Sequence, residues 1–255
     1  MKSLETHLRA LRATGRKALV PYFVAGLTPD WIQHVEAAAH AGADAVEIGI
    51  PFSDPMMDGV VIQEAVLRAL EAGTTLDSLC AQLATLSTSV PLIAMTYYNI
   101  FHHYGLERSA GKLQSSGVLG AIVPDLPPEE ASDWMKASTS HDIANIFLVA
   151  PSTPPQRLGR LARLSEGFCY ASARMAVTGK SSESGEGRRV VESIRAVSDI
   201  PTYIGIGIST PDQAREASEV SDGVIVGSAL VQVILNGGGA DEVENFVASF
   251  RRSID

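Results

Sequence analysis

Several protein classes are excluded by what this 255-residue chain has little of. It carries two cysteines, Cys80 and Cys169, far apart in ordinary apolar segments. Two are too few for a disulfide framework or a thiolate metal centre, so buried thiols in a reducing compartment are expected, with a single bridge as the open alternative. Positive charge is also short, since 20 Lys and Arg face 29 Asp and Glu for a net charge of −9. Such a balance repels nucleic acid and anionic lipid, so neither is expected as a partner, and a phosphate ligand must be held by backbone amides or single basic groups. No apolar run approaches the roughly 18 residues of a membrane span. From Met1 to Lys17 the chain sets Leu4, Leu8 and Leu11 at helical spacing among Glu5, Arg9, Arg12 and Arg16, without a signal-peptide core. A cytoplasmic protein is expected.

Three catalytic plans are missing as well. Lys2, Lys17, Lys112 and Lys136 fall on helical or terminal stretches and Lys180 in a polar loop, whereas a Schiff-base lysine needs desolvation at a strand end. His7, His34, His40 and His141 map to helices or their ends, and the adjacent pair His102-His103 near a strand end reads as surface loop, so no metal set converges. No Gly-x-Ser-x-Gly elbow lies between a strand and a helix.

What is present is an alternation. Short aliphatic runs at Ala18–Val24, Ala45–Ile50, Leu92–Thr96, Gly120–Val123, Asn145–Val149, Phe168–Ala171, Thr202–Ile206 and Gly223–Val226 alternate with amphipathic or Ala-rich stretches. Thr28-Pro29-Asp30, Pro127-Pro128-Glu129-Glu130, Thr153-Pro154-Pro155 and Ser209-Thr210-Pro211-Asp212 place proline near helix starts. Eight strands each followed by a helix, with no interior linker, predict an α/β protein forming a single (β/α)8 TIM barrel. An N-terminal helix over 1–17 and extra loop and helix elements at the C-terminal face complete it. The polar, Gly-rich segment 179–189 reads as a mobile loop at that face, either closing over a ligand or merely exposed.

The strand Val46-Glu47-Ile48-Gly49 runs into a loop with Asp54 and Asp58. Glu47 lies among Val, Ile and Ala, where an unpaired charge is costly. Two readings stay open: Glu47 and Asp58 form an acid–base pair in unlike environments, or Glu47 is a buried carboxyl satisfied by backbone donors beside a turn-forming Asp. Three glycine turns, Val177-Thr178-Gly179, Gly205-Ile206-Gly207-Ile208-Ser209 and Val226-Gly227-Ser228-Ala229, fall after the last three strands, the recurrent phosphate-holding position in barrels.

Together with Ile122-Val-Pro-Asp-Leu-Pro-Pro-Glu-Glu130, these motifs resemble, in order and over nearly the whole chain, the α subunit of tryptophan synthase. The resemblance implies a carbon–carbon lyase in tryptophan biosynthesis that cleaves indole-3-glycerol phosphate to indole and glyceraldehyde 3-phosphate. It also implies a β-subunit partner in an α2β2 heterotetramer, with pyridoxal phosphate only in that partner and no cofactor or metal in this chain. By the same resemblance Glu47 is the acid–base and Asp58 stabilises charge on the indole N–H. Tyr22, Met95, Tyr97, Ile122 and Leu148 line the indole pocket, Tyr170 matches a site tyrosine of the family or is a core aromatic, Ile206 borders the indole or the phosphate-side wall, and Gly179, Gly207, Gly227 and Ser228 hold the phosphate. Thr178 bridges to Asp54, and Asp54, Met56 and Met57 belong to a loop facing the partner. The chain departs from the family pattern at Met56, Met57 and Val60 in that loop, at Ala176, and at Ile206, where an aromatic ring is frequent.

Overall fold

The computed structural model describes residues 2–174 and 185–255, with backbone only at 173 and 174. Among them are β1 (Ala18–Val24), β2 (Val46–Gly49), β3 (Leu92–Met95), β4 (Val118–Ile122), β5 (Ala144–Ile146), β6 (Leu148–Val149), β7 (Cys169–Arg174), β8 (Thr202–Ile206) and β9 (Gly223–Val226). Every strand pairing is parallel, in the order β5-β4-β3-β2-β1-β9-β8-β7-β6. The two ends of this order are halves of one stretch. The expected fifth strand is interrupted at Phe147: β5 pairs with β4 through Ala121 and Asn145, and β6 pairs with β7 through Leu148 and Tyr170. Side-chain alternation continues across the break, with Ile146 and Leu148 in the interior cluster and Phe147 and Val149 in the outer one. The stretch therefore changes partners without changing faces, and the ring closes.

All seven residues of β1 are buried, as a strand with barrel interior on one face and helices on the other requires. The interior holds Val20, Ile93, Ile122, Ile146, Tyr203 and Ile225, with Phe168 stacked on Tyr203 at 4.4 Å. Leu4 and Leu8 of α1 (Ser3–Ala13) are fully buried in this cluster beside Ala18 and Ala144, so the helix plugs the N-terminal end and leaves the C-terminal end to carry a site. The outer layer is made by α2 (Trp31–His40), α3 (Val60–Glu71), α4 (Leu76–Leu83), α5 (Tyr98–Tyr104), α6 (Leu106–Ser115), α7 (Ser132–Ser140), α8 (Pro155–Leu164), α9 (Glu186–Arg195), α10 (Pro211–Val220), α11 (Ser228–Leu235) and α12 (Ala240–Ile254). The connections after β2, β3 and β9 each contain two helices.

A buried ion pair ties α12 to the barrel. Arg251 Nη1 lies 2.7 Å from Asp44 Oδ2 and donates to the Lys17 carbonyl at 3.0 Å, while Asp44 also accepts from the Leu19 amide at 2.9 Å and Arg16 Nε at 2.8 Å. Every oxygen of the carboxylate is thus matched to a donor, which is what makes burial of the charge tolerable.

Three expected helix starts are observed, including Thr210, whose side chain caps α10 in a box with Gln213. The fourth is displaced. Residues 127–130 form a turn closed by Glu130 N–H to Pro127 O, and α7 begins at Ser132. A proline disfavours helical backbone in the residue before it, so Pro128 blocks initiation at Pro127. His102 and His103 lie in the last turn of α5 and not in a loop. The expected loop 179–189 is shortened from its far side, because α9 already starts at Glu186; its apolar stripe Val190, Val191 and Ile194 is buried and draws the preceding polar turn into the helix. The remainder of that loop, with Ala176, Thr178 and Gly179, lies outside the described residues. Cys80 and Cys169 are free and buried.

Candidate active site

The strand ends place carboxylates and glycine turns around one cavity of about 590 Å³ at the C-terminal mouth. Glu47, Asp58, Gly207, Gly227 and Ser228 all line it, so the acids and the glycine turns face a shared space. Parallel register brings Tyr22 on β1 and Ile93 on β3 beside Glu47 on β2.

Glu47 is 1% exposed, and its Oε2 has no hydrogen-bond partner among the described residues. The reading of a carboxyl satisfied by backbone donors is therefore not what the geometry shows for this oxygen. Burial, with a smaller contribution from the nearby Asp58 charge, pushes the Glu47 carboxyl up to about 8. At neutral pH the proton stays on. Asp58 is partly exposed and its pKa is also raised by burial, but there the Tyr97 hydroxyl opposes the shift by donating to Oδ2 at 3.3 Å. The two acids thus differ in environment: one is buried and, among the described residues, without a side-chain or backbone partner at Oε2, the other is hydrogen-bonded and close to solvent.

Two tyrosines form the walls by lying across glycines. The Tyr170 hydroxyl donates to the Gly205 carbonyl at 3.3 Å, and a Cβ added at Gly205 would overlap that hydroxyl. Tyr22 lies over Gly49 in the same way, two residues beyond Glu47 on β2. On the opposite rim, α11 opens at Ser228 with Gly227 before it. The Leu230 and Val231 amides already bond to the Gly227 carbonyl. The earlier amides, of Ser228 and Ala229, belong to a first turn with no intrahelical acceptors, next to the positive end of the helix dipole.

Of the residues expected at the site, Tyr22, Met95, Leu148, Tyr170, Ile206, Gly207, Gly227 and Ser228 line the cavity. Ile122 does not. It is fully buried in the interior cluster, because alternation along β4 points it inward below the cavity floor. Tyr97 lies behind Asp58, lining a separate chamber of about 10 Å³ with Tyr22 and Asp58, and its ring stacks on Phe52 at 5.1 Å. Asp54 receives the Ser53 hydroxyl at 2.5 Å, while Thr178 and Gly179 fall outside the described residues. Met56 is 83% exposed, but Met57, expected only on the partner face, also lines the cavity. Sequence reasoning missed Ile62, Pro124, Ser172 and Ile225 as lining residues. Ser172 follows Tyr170 by the two-residue step that keeps a strand residue on the same face, a signal that was available. Among the described residues no group of three or more His, Cys, Asp or Glu is arranged to hold a metal ion.

Fold and site together define a class, the (β/α)8-barrel proteins whose C-terminal mouth holds a cavity lined by carboxylates and glycine turns. The family profile described as tryptophan synthase alpha chain matches residues 8–253. The tryptophan synthase alpha chain of Thermobifida fusca is 41% identical over 100% of this chain and 98% of its own length. That of Roseiflexus sp. is 42% identical over 88% of each. Among solved structures, the aminoacrylate-bound tryptophan synthase from M. tuberculosis superposes with a TM-score of 0.91 at 34% identity, covering 100% of both chains. The tryptophan synthase subunit alpha of Legionella pneumophila gives a TM-score of 0.90 at 30% identity, covering 100% of this chain and 99% of that one. The chain belongs to the tryptophan synthase alpha chain family, the lyases that cleave indole-3-glycerol phosphate and work with a β subunit.

Proposed function

We propose that the cavity at the strand mouth is where indole-3-glycerol phosphate is cleaved, with Glu47 as the proton carrier and Asp58 as the fixed anion. The observation that carries this reading is the buried, unpartnered Glu47 carboxyl facing the same space as Asp58 and the Gly227-Ser228 turn. Protonated Glu47 delivers its proton to the indole ring carbon that bears the glycerol chain, and positive charge spreads to the ring nitrogen. Asp58 accepts the indole N–H hydrogen bond and stabilises that charge. The Glu47 carboxylate then takes the proton from the adjacent glycerol hydroxyl. As this C–O becomes a carbonyl, the carbon–carbon bond breaks and its electron pair returns to the ring. The products are indole and glyceraldehyde 3-phosphate, and Glu47 ends protonated as it began.

The phosphate is assigned to the amides of Gly207, Gly227, Ser228 and Ala229 and the Ser228 hydroxyl, since a chain of net charge −9 has little other means of holding it. Met95, Leu148, Tyr170 and Ile206 provide the apolar walls for the indole. Met56, Met57 and Val60, at 83%, 57% and 80% exposure, form an apolar face beside the cavity that suits a β subunit in an α2β2 assembly, with pyridoxal phosphate carried by that partner. A cytoplasmic location agrees with the two free thiols, and no helix among the described residues is long and apolar enough to cross a membrane.

The test is indole release from indole-3-glycerol phosphate by the purified chain with β subunit present. Glu47→Gln and Glu47→Asp are expected to lower turnover by about two to four orders of magnitude, the range for loss of a general acid–base. Turnover at the unaltered rate in Glu47→Gln would remove the assigned role.

A further inference from the structure

Tyr22 is 8% exposed, yet its hydroxyl has no hydrogen-bond partner among the described residues. The ring base packs 3.7 Å from where a Cβ would stand on Gly227, and the hydroxyl end lies over Gly49, so the side chain spans from the phosphate rim to the strand that bears Glu47. It borders both the main cavity and the chamber of about 10 Å³. That chamber is also lined by Asp58, Thr96 and Tyr97. A space of this size takes one water molecule when polar groups surround it. The Tyr97 hydroxyl is already committed, accepting the Met57 amide at 2.9 Å and donating to Asp58. The Thr96 hydroxyl is committed to the Ile50 carbonyl at 3.1 Å. The Tyr22 proton is the one still free to be given.

We infer that Tyr22 is a positioning residue for Asp58, its hydroxyl donating through one water in this chamber so that two phenols from opposite sides hold the carboxylate in its ionised form. This rests on the reading of Asp58 as the anion of the reaction. The described titratable groups that face Asp58 are Tyr22 from β1, Glu47 from β2 and Tyr97 after β3, with Asp125 behind Tyr97 and Tyr170 across the cavity beside Glu47. From α3 it is the Gln63 amide that reaches the Asp58 segment, bonding the main-chain carbonyl at 2.8 Å. The proximity is reciprocal, because after burial it is the Asp58 charge, then that of Glu47, that raises the Tyr22 phenol. Hydrogen bonds to the charged form lower a carboxylate's pKa, so removing one raises it.

The experiment is the pH dependence of kcat/KM for indole release in the complex with β subunit, for the parent chain, Tyr22→Phe and Glu47→Gln. Tyr22→Phe keeps the ring on Gly49 and removes only the hydroxyl. Its acid limb is expected to move up by about one pH unit, the scale of one charge-assisted hydrogen bond, with the alkaline limb in place. A merely structural role for Tyr22 would lower the profile without moving the limb. An unmoved acid limb, or a shift of the alkaline limb instead, which would tie the hydroxyl to Glu47, overturns the inference. Full activity in Glu47→Gln would overturn the parent reading, whereas an inactive Glu47→Gln beside an unmoved acid limb in Tyr22→Phe would overturn this inference alone.

Discussion

Replacing Glu47 with glutamine should make the folded chain more stable at neutral pH while abolishing its turnover. In the fold the Glu47 carboxyl is raised from 4.5 to about 8 by burial, with a smaller contribution from the Asp58 charge. A group whose folded pKa lies above its unfolded value contributes stability that is fully present below the unfolded pKa and is lost as pH rises towards the folded one. The window is therefore from about pH 4.5 to about pH 8. Each pH unit inside it removes a little over 1 kcal/mol, so about 3 kcal/mol is gone by pH 7. Glutamine has nearly the same shape and no proton to lose. Urea unfolding of the parent chain and Glu47→Gln at pH 4.5, 6, 7 and 8 measures the difference directly. The two curves should nearly coincide at pH 4.5 and separate in favour of glutamine as pH rises, by an amount of order 3 kcal/mol at neutrality. Equal pH slopes, or a glutamine variant less stable at pH 8, would refute the claim that the carboxyl is held in its neutral form. The outcome also bears on why the residue is an acid at all, since a buried ionisable group that weakens the fold at working pH is retained for chemistry and not for packing.

The same proton sets the upper edge of activity: kcat/KM should fall above about pH 8, where Glu47 ionises before it can protonate the ring carbon, and a profile flat to pH 9.5 would contradict this. Gly205→Ala inserts a methyl where the Tyr170 hydroxyl lies, so the tyrosine must swing into the cavity. A loss of about 1–3 kcal/mol in stability together with a raised KM is expected from denaturation and steady-state kinetics. Arg251→Ala leaves the buried Asp44 carboxylate short of a donor and should cost about 3–5 kcal/mol in unfolding free energy, with KM unchanged in whatever fraction stays folded.

Much of this was legible before any coordinates. The barrel follows from aliphatic runs at regular intervals, and Glu47 stood out because an isolated carboxylate in such a run is costly unless it is satisfied by backbone donors or kept for chemistry. That Gly207 and Gly227-Ser228 line the cavity was readable because they follow strand ends. Position within a layer was not readable to the same degree. Met95 and Ile122 are register partners at the ends of β3 and β4, yet only Met95 lines the cavity, a difference that local pattern does not encode. Tyr97 was expected on the substrate wall, but it stands behind Asp58 because Phe52 draws its ring away and the Met57 amide takes its hydroxyl. The break at Phe147 left no trace in the sequence, since inward and outward residues alternate through it without interruption. The turn at 127–130 was misread for a different reason: proline near a helix start is informative only when a second proline does not follow it.

The interruption at Phe147 divides the ring into two arcs, and the chemistry is split between them. Glu47 and Asp58 come from the arc that ends at Ile146, whereas the glycine turns to which the phosphate is assigned come from the arc that starts at Leu148. The arcs meet at that break and again where Ala18 pairs with Gly223, partners about two hundred positions apart. Neither arc by itself contains a working set of groups. Recovery of turnover during refolding would accordingly time the joining of the two seams, and should lag behind the return of helical circular dichroism, which either arc can generate from contacts near in sequence.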